Sequence, residues 1–551
     1  MRSATRLPVR LCLVLALGTA CTPTEEPPGG TGGTGGNPGS GGSATGGTSA
    51  MAGTSGGAGT SGGAGTTGNG GDPAGTGGSG TGGSIGSGTG GNAAGGNTGT
   101  GGSGNGGAGP GTGGSGPGSA GRGGTTGSAG RGGTTGSGGV IGTAGTTGSG
   151  GVTGGLPGYN PDFKEFYGDD CTVADPKDVN ITELPDLFQK LDGTRMSKKS
   201  DWRCRRAELK KIVEKYIHGP KPGKPTTVTG TVSSTAINVH VEEGGKKIDF
   251  KVTVSLPTGT TGPVPIIIGM GGSSLDASIV RGEGVASGTY DHQQMASETS
   301  RSGLFTNIYG TGTGASAQIG WAWGISRVID VLIDEKAAGR NNIIDPTAVG
   351  VTGCSRNGKA AFNVGAFDER IALGIPQESG TGGVSAFRVV NTAPKGPNGM
   401  AAQSLDSAWS EAQGWFGVPF GSYRTTAKTN TIPGDTSSIA AMYAPRGLLV
   451  LDNSRIGELC AACQHAASAA AQRVYGALGV GANIGYNGGN PSDPHNHCTF
   501  YPNTQGDPLK RAIRAHLTRK AAPDGRMEPQ PAGTADLTKW VPWTAPTLTD
   551  N

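Results

Sequence analysis

Apolar side chains in the C-terminal part of the chain repeat with two different periods, one helical and one extended. Residues 200–218 carry an apolar stripe at helical spacing, and Gly219 and Pro220 then end the pattern. Residues 237–254 instead alternate between apolar and polar positions, with Gly244-Gly245 in the middle. The sequence therefore predicts a long helix followed by a β-hairpin. The helical stripe consists of Trp202, Leu209, Ile212, Val213, Tyr216 and Ile217.

Continuous apolar runs follow, and they have the length of strands. They lie at residues 265–268, 348–351, 371–375 and 447–451, with helical patterns over 321–332 and 464–478 and a short strand near 482–486. Strands that are apolar on both faces are typical of a parallel sheet covered by helices. Because these strands alternate with helices, the sequence predicts an α/β fold with a mostly parallel central sheet.

The N-terminal part of the chain has no such pattern. The chain has 551 residues with 111 glycines, and most of residues 27–158 are Gly, Thr, Ser and Ala. Too few apolar side chains are present there to bury a core and offset the entropy of ordering the backbone. We expect residues 22–158 to form a disordered Gly/Thr/Ser-rich linker and residues 159–551 to form one α/β domain.

The first 21 residues have the pattern of an export signal. Arg2, Arg6 and Arg10 precede an apolar run over residues 11–17, and small residues then lead to Cys21. Small residues directly before a cysteine resemble a bacterial lipoprotein cleavage site, which would make Cys21 the lipidated first residue. A plain secretory signal is the alternative. Both interpretations place the mature chain outside the cytoplasm, secreted or anchored at the cell surface, where disulfides persist.

Charge and hydropathy limit the expected partners. The formal net charge is only +4 and no block of basic residues is present, so nucleic acid is not an expected partner. No second apolar run is long enough to span a bilayer, so contact with a membrane is expected only through the lipid on Cys21. We expect a monomer.

Residues 351–359, Val-Thr-Gly-Cys-Ser-Arg-Asn-Gly-Lys, carry the clearest chemical signal. A β-prone run precedes this segment and a helix-compatible run follows it, so Ser355 lies at a strand-to-helix turn between Gly353 and Gly358. A serine on such a turn is the nucleophile elbow of α/β-hydrolases, whose small neighbours leave the hydroxyl exposed. Asn357 stands where the second glycine is usual, and an ordinary Gly/Ser turn is the alternative interpretation.

A serine hydroxyl becomes a nucleophile only when a base takes its proton and a carboxylate orients that base. His495 and His497 lie in a loop after the last strand, where this fold places its base. Glu378 and Asp452 each follow a buried strand, and both fit the order serine, acid, histidine. The Gly-rich residues 269–273 are a weaker candidate for an oxyanion-hole amide.

Two cysteines flank the candidate catalytic residues. Cys354 directly precedes Ser355, and Cys498 directly follows His497. A disulfide keeps its two Cα atoms within about 7 Å, so a Cys354–Cys498 bridge would hold His497 near Ser355 and favour it over His495. The alternative is that these two positions are a coincidence.

The remaining cysteines after the N-terminal region suggest structural roles. We expect Cys171 and Cys204 to pair and to join the N-terminal loop to the first helix. Cys460 and Cys463 are left, and their pairing with each other stays open. This CxxC has no partner ligands of the kind that a metal site requires. We therefore expect no metal and no cofactor.

Five segments in order carry a family signature. They are residues 191–195 (Leu-Asp-Gly-Thr-Arg), 323–330 (Trp-Gly-Ile-Ser-Arg-Val-Ile-Asp), 353–359, 375–380 (Ile-Pro-Gln-Glu-Ser-Gly) and 495–498 (His-Asn-His-Cys). Together they resemble the glucuronoyl esterases, carbohydrate esterase family 15, over about residues 171–501. The resemblance implies an α/β-hydrolase fold and a serine esterase. It also implies the substrate, an ester between 4-O-methyl-glucuronic acid of glucuronoxylan and lignin alcohols.

The resemblance also implies roles for single residues. Ser355 resembles the nucleophile, His497 the base and Glu378 the acid, while some bacterial members take their acid from the strand end at Asp452. Arg356 resembles the side chain that donates to the oxyanion. The positions that resemble the sugar-binding ones are Lys359, Gln403 and Glu411. Residues 454–457, Ser-Arg-Ile-Gly, lack the Trp that family members usually carry there.

Two other functions are compatible with the sequence. An acetyl or feruloyl xylan esterase would use the same fold, because fold alone does not define the substrate. A tethered carbohydrate-binding protein with an inactive triad is the second. Lys359 and Glu411 favour a sugar acyl group over an acetyl group, and the complete set of Ser355, Glu378 and His497 argues against an inactive triad.

Overall fold

A computed structural model describes residues 163–550 of the chain. The expected export signal, Cys21 and the expected linker over residues 22–158 lie outside the described residues. The domain expected over residues 159–551 is therefore described from Phe163 onward.

Ten strands of the described chain form one sheet. They are β1 Thr227–Val232, β2 Ala236–Glu243, β3 Lys246–Ser255, β4 Val264–Met270, β5 Ala286–Tyr290, β6 Ile344–Cys354, β7 Ile371–Gln377, β8 Gly447–Leu451, β9 Ile484–Asn487 and β10 Met527–Glu528. Their order across the sheet is β1-β2-β3-β5-β4-β6-β7-β8-β9-β10. Antiparallel pairing joins β1, β2, β3 and β5, and all pairings from β5 to β10 are parallel. This is the mostly parallel sheet that the apolar runs predicted.

The predicted hairpin is confirmed, as are the buried strands. Strands β2 and β3 pair through the turn at Gly244 and Gly245, and both glycines have positive φ, at 55° and 76°. Side chains of β3 alternate between buried and exposed, whereas every residue of β7 and β8 is buried. The alternating strands therefore lie at the antiparallel edge of the sheet, and the fully apolar strands lie inside its parallel part.

Thirteen α-helical segments of the described chain surround the sheet. They are α1 Asp201–Val213, α2 Ala277–Gly282, α3 His292–Met295, α4 Leu304–Tyr309, α5 Ala317–Ala337, α6 Arg356–Ala366, α7 Phe387–Val390, α8 Leu405–Glu411, α9 Thr426–Thr429, α10 Thr436–Ala441, α11 Ala461–Ala477, α12 Pro502–His516 and α13 Leu537–Trp540. Across residues 163–550, none is at once long enough and apolar enough to cross a bilayer.

The long helices were predictable and the one-turn helices were not. The predicted helix over 200–218 is α1 followed by a π-helical turn, Glu214–His218, which ends at Gly219 with φ 77°. Short helices such as α2, α8 and α10 begin at side-chain caps, at Asp276, Ser404 and Asp435. Such helices have too few residues to form an apolar stripe, so periodicity does not detect them.

The N-terminal segment of the described chain is fixed to the domain by buried charges and by a disulfide. Glu165 forms ion pairs with Lys221, Arg327 and Arg370, and all four side chains are at most 5 % exposed. Burial alone would raise the pKa of Glu165, but Lys221 and the two arginines lower it to about 2. Cys171 bonds to Cys204 of α1, as the sequence predicted.

Candidate active site

Ser355 lies at the sharp turn between β6 and α6. Its backbone has φ 58° and ψ −124°, a conformation that a residue with a side chain adopts only when its surroundings impose it. A Cβ on Gly353 would lie 2.3 Å from the backbone oxygen of Asn357, and one on Gly358 would lie 2.4 Å from that of Gln377. Small residues are therefore needed at positions 353 and 358. The turn has the geometry of a nucleophile elbow.

His497 and Glu378 form a hydrogen-bonded pair beside this turn. The Nδ1 atom of His497 lies 2.7 Å from Oε2 of Glu378, and the backbone N–H of Cys498 donates to the same oxygen at 2.7 Å. Glu378 follows β7, has φ 46°, and donates its backbone N–H to the carbonyl of Leu451. When Nδ1 carries the proton for Glu378, Nε2 of the imidazole is left to accept a proton.

A disulfide holds the histidine loop against the elbow. Cys354 and Cys498 are bonded, with their Cα atoms 5.6 Å apart, so the residue before Ser355 is linked to the residue after His497. His495 points elsewhere, because its Nε2 accepts a hydrogen bond from Arg455 Nε at 3.1 Å. The structure therefore brings His497, and not His495, to the acid. Cys460 and Cys463, whose pairing the sequence left open, form a third disulfide.

Asp452, the alternative acid, is engaged away from the histidine. It is fully buried, and its carboxylate accepts from Tyr486 Oη at 2.9 Å and from the backbone N–H of Asn453 at 2.9 Å. Burial, together with a smaller effect of the neighbouring charge of Glu378, raises the pKa of Asp452 to about 7. In this structure the hydrogen bond of His497 Nδ1 goes to Glu378, and Asp452 stays an alternative acid only.

A cavity of about 610 Å³ opens beside the elbow and is lined by both Ser355 and His497. The three residues predicted to hold the sugar also line it. Their side chains are Lys359, Gln403 and Glu411. Gln403 Nε2 donates to Glu411 Oε2 at 2.6 Å, which places a neutral donor and an anionic acceptor next to each other. The three residues that the family resemblance indicated as sugar-binding come from separate segments and form one polar wall of this cavity.

Lys359 is the buried cation of this cavity. It is 4 % exposed, donates from Nζ to the carbonyl of Ser379 at 2.7 Å, and lies 4.6 Å from the ring centroid of Trp415. Burial lowers the pKa of Lys359 to about 8, although the nearby charge of Glu411 opposes this effect. The ammonium group therefore retains donors for a ligand at neutral pH and begins to lose its proton at mildly alkaline pH.

Arg356 lies at the first position of α6 and is half exposed. Its Nη1 donates to Glu298 Oε1 at 2.5 Å, and its Nη2 lies 3.4 Å from Glu411 Oε1. Glu298 also accepts from Trp415 Nε1 at 2.8 Å. The sequence did not indicate Glu298 or Trp415 as part of the site. Their contacts join residues 58 and 117 positions apart, and neither lies in a motif that would mark it.

One amide of the Gly-rich residues 269–273 is already engaged. The N–H of Gly271 donates to the carbonyl of Tyr290 at 2.8 Å, so it is already used. A Cβ on Gly271 would lie 2.9 Å from the imidazole of His292 and 3.2 Å from the side chain of Asn357. The glycine thus serves close packing against the elbow.

The wall of the cavity that lacks the expected Trp contains one charged and one apolar side chain. Glu458 and Leu459 line it, directly after residues 454–457. Glu458 Oε2 accepts from Asn398 Nδ2 at 2.8 Å, and Asn398 Oδ1 accepts from the backbone N–H of Gly457 at 3.0 Å. An indole is nevertheless present in the cavity, because Trp415 lines another part of it.

A serine on a strained strand-to-helix turn, a histidine bonded to a buried glutamate and an open polar cavity are the parts of a serine hydrolase. Their chain order, on a mostly parallel sheet covered by helices, is that of the α/β-hydrolases. The fold and the site thus define a serine hydrolase of the α/β-hydrolase class.

Comparison with known proteins narrows this class. A family model described as "Glucuronyl esterase, fungi" matches residues 239–479. The 4-O-methyl-glucuronoyl methylesterase of Hypocrea jecorina is 37 % identical over 373 residues, which are 66 % of this chain and 76 % of that protein. The chain belongs to the glucuronoyl esterases, carbohydrate esterase family 15.

Solved structures agree with this membership. The catalytic domain of the Hypocrea jecorina glucuronoyl esterase is 34 % identical with a TM-score of 0.61, covering 68 % of this chain and 98 % of that domain. A serine-to-alanine mutant of the Sporotrichum thermophile glucuronoyl esterase was solved in complex with methyl 4-O-methyl-β-D-glucopyranuronate. It is 34 % identical with a TM-score of 0.61, covering 69 % of this chain and 100 % of that protein.

Proposed function

We propose that this chain hydrolyses the ester between the carboxyl group of 4-O-methyl-D-glucuronic acid on glucuronoxylan and a lignin alcohol. The hydrogen bond of 2.7 Å between His497 and Glu378, on a loop that a disulfide ties to Ser355, carries the proposal. The names of the related proteins and the bound uronate ester of one of them support the choice of acyl group.

The reaction runs through an acyl-enzyme on Ser355. Nε2 of His497 takes the proton of the Ser355 hydroxyl while its Oγ attacks the ester carbon, and Glu378 stabilises the imidazolium that forms. Arg356 donates to the oxygen that becomes negative in the tetrahedral intermediate. The alcohol leaves with the proton from His497. Water then attacks the acyl-enzyme by the same steps and releases the uronic acid and the free serine.

The polar wall of the cavity selects the acyl half of the ester. Lys359 and Gln403 donate to ring hydroxyls, and Glu411 accepts from them. Because the ester carbonyl is attached to the uronate ring, holding the ring also aims the carbonyl at Ser355. An acetyl group offers these side chains nothing to bind. Losing one paired polar contact costs about 1–3 kcal/mol, so two such contacts give about 30-fold discrimination or more.

The test compares two esters and two proteins. We expect wild-type protein to hydrolyse methyl 4-O-methyl-glucuronate with a higher kcat/KM than acetylated xylose, and Ser355→Ala to lose both activities while keeping its thermal unfolding midpoint. Equal kcat/KM on the two esters would favour an acetyl esterase instead. Turnover by folded Ser355→Ala, free of contaminating esterase, would remove Ser355 from the nucleophile role.

We also propose that the enzyme works outside the cytoplasm, with residues 1–21 as a lipoprotein-type signal and residues 22–158 as a flexible tether. Three disulfides in the described domain support an oxidising location. A tether of about 130 Gly-rich residues has an r.m.s. span of about 60–70 Å, enough to let an anchored domain reach insoluble xylan. Labelling with a fatty-acid analogue tests the anchor, since Cys21→Ser should abolish incorporation. Incorporation that persists in Cys21→Ser would contradict it.

A further inference from the structure

Glu298 bridges two residues of the cavity wall. Its side chain is 12 % exposed, and its two oxygens have different partners: Oε1 accepts from Arg356 Nη1 at 2.5 Å, and Oε2 accepts from Trp415 Nε1 at 2.8 Å. Hydrogen bonds in which one or both partners are ionised are shorter and stronger than neutral ones. The carboxylate therefore holds the guanidinium and the indole in one fixed arrangement.

The backbone of Glu298 is itself held on both sides. Its N–H donates to Gln293 Oε1 at 3.0 Å, and its carbonyl accepts from the N–H of Gly414 at 2.7 Å. A Cβ on Gly414 would lie 2.3 Å from that carbonyl oxygen, so the two segments approach as closely as only a glycine allows. The position of Glu298 is thus fixed by its backbone contacts, so its carboxylate can hold the Arg356 side chain in place.

Arg356 needs such a support. Its side chain is 50 % exposed, and its contact with Glu411 is long at 3.4 Å. A long, half-exposed arginine samples many rotamers unless a partner restricts it. A donor contributes to stabilising an oxyanion only when it is oriented before charge develops, because reorienting it during the reaction costs free energy.

We propose that Glu298 is a positioning residue that orients Arg356 toward the ester oxygen. The proposal rests on the role of Arg356 as oxyanion donor in the proposed function. Glu298 acts through the guanidinium and does not touch the substrate. Trp415 completes the arrangement, since its ring centroid lies 6.0 Å from Arg356 Cζ while its indole N–H fixes the second oxygen of Glu298.

The first test is Glu298→Gln, which keeps the size of the side chain and removes its charge. We expect kcat to fall about tenfold or more while KM changes by less than about twofold, because the lost contact matters mainly in the transition state. Glu283→Gln is a matched control. The side chain of Glu283 is 9 % exposed and forms an ion pair with Arg514, which is 49 % exposed. Neither residue lines the cavity. We expect Glu283→Gln to leave kcat unchanged.

The second test repeats Glu298→Gln in an Arg356→Ala background. If Glu298 acts through the guanidinium, its substitution causes no further loss there, since the group it orients is gone. The same fold loss of kcat in both backgrounds would overturn the proposal, because it would show that Glu298 acts on folding or on another group. Unchanged kcat in the single variant would overturn it as well.

Further variants keep the proposal testable if Glu298→Gln is unstable. Glu298→Asp keeps the charge on a shorter side chain, so we expect it to retain more kcat than Glu298→Ala at a similar unfolding midpoint. Equal kcat for these two variants overturns the proposal. All variants are assayed on methyl 4-O-methyl-glucuronate and on 4-nitrophenyl acetate. Both esters develop an oxyanion, so a protein that hydrolyses only the acetate disproves the proposed substrate but still tests the orientation of Arg356.

Discussion

Cys354 and Cys498 are bonded to each other across 144 positions of the sequence, with Cα atoms 5.6 Å apart. One precedes the serine of the elbow, and the other follows the histidine that pairs with Glu378. The bond therefore does not only stabilise the domain. It also restrains the separation of Ser355 and His497, the two groups between which the proposed mechanism moves a proton.

We predict that the double variant Cys354→Ser/Cys498→Ser loses activity beyond its loss of stability. Opening the crosslink should lower the free energy of unfolding by about 2–4 kcal/mol. A displacement of His497 by about 1 Å should lower kcat by up to about 100-fold. Cys171→Ser/Cys204→Ser is the control, because it removes a disulfide at α1. Both double variants should show lower midpoints in chemical unfolding, but only the first should lose kcat at temperatures where both are folded.

We predict that Glu378 orients the base alone, without Asp452. Glu378→Ala should lower kcat by about 10³–10⁴-fold, as expected when a catalytic histidine loses its orienting carboxylate. Asp452 stays bonded to Tyr486, so the double variant Glu378→Ala/Asp452→Asn should be no slower than Glu378→Ala alone. Steady-state kcat of the three variants checks this. A much slower double variant would show that Asp452 moves to His497 when Glu378 is absent.

Lys359 should make the binding of sugar esters sensitive to pH. Its pKa is lowered to about 8, so the ammonium is present below pH 8 and is lost as the pH rises through that value. KM for methyl 4-O-methyl-glucuronate should therefore rise above about pH 8. The ratio of this KM to that for 4-nitrophenyl acetate, measured from pH 6 to 10, isolates the effect, because titration of the triad affects both esters. A constant ratio would contradict the role of Lys359 in sugar binding.

Glu165 should contribute stability that depends on pH. Its folded pKa of about 2 lies below its usual value of 4.5, so the stabilisation is fully present above about pH 4.5 and is lost as the pH falls toward 2. Glu165→Gln leaves the buried Lys221 without its carboxylate partner, while Arg327 and Arg370 keep Asp330 and Asp368, and should cost about 3–5 kcal/mol at pH 7. Glu335→Gln, which breaks a pair with the exposed Arg340, should cost about 1 kcal/mol or less.

Urea unfolding of wild type, Glu165→Gln and Glu335→Gln at pH 7 and at pH 3 measures these differences. The difference in the free energy of unfolding between wild type and Glu165→Gln should be smaller at pH 3 than at pH 7. A gap of equal size at both values would mean that packing, and not charge, accounts for the loss.

The parts of this protein that the sequence predicted are those encoded by short segments. The strand before Ser355, the helix after it and the small residues around it lie within one run, so the elbow is visible without tertiary information. The cysteines next to Ser355 and His497 also allowed the sequence to predict that two distant segments lie close together, because a disulfide requires its two residues to be neighbours in space.

The choice between two acids required the structure. Glu378 and Asp452 both follow strands of the parallel sheet, β7 and β8, which are neighbours. What separates them is the φ of 46° at Glu378 and the hydroxyl of Tyr486 beside Asp452. The pattern of apolar and polar residues along the chain predicts neither a single backbone angle nor a contact between residues 34 positions apart. The same holds for Glu298, whose partners come from α6 and from the loop at Trp415.

The crosslink between Cys171 and Cys204 has a mechanical consequence. Any pull on the chain from its N-terminal side reaches the ion pairs of Glu165 first and the disulfide at α1 directly afterwards. A force on the N-terminal side of a substrate-bound domain would therefore separate only the described residues before Cys171 from the rest of the domain. Past that point the load would pass through a covalent bond into α1, so separation of the chain from the domain would stop at Cys171.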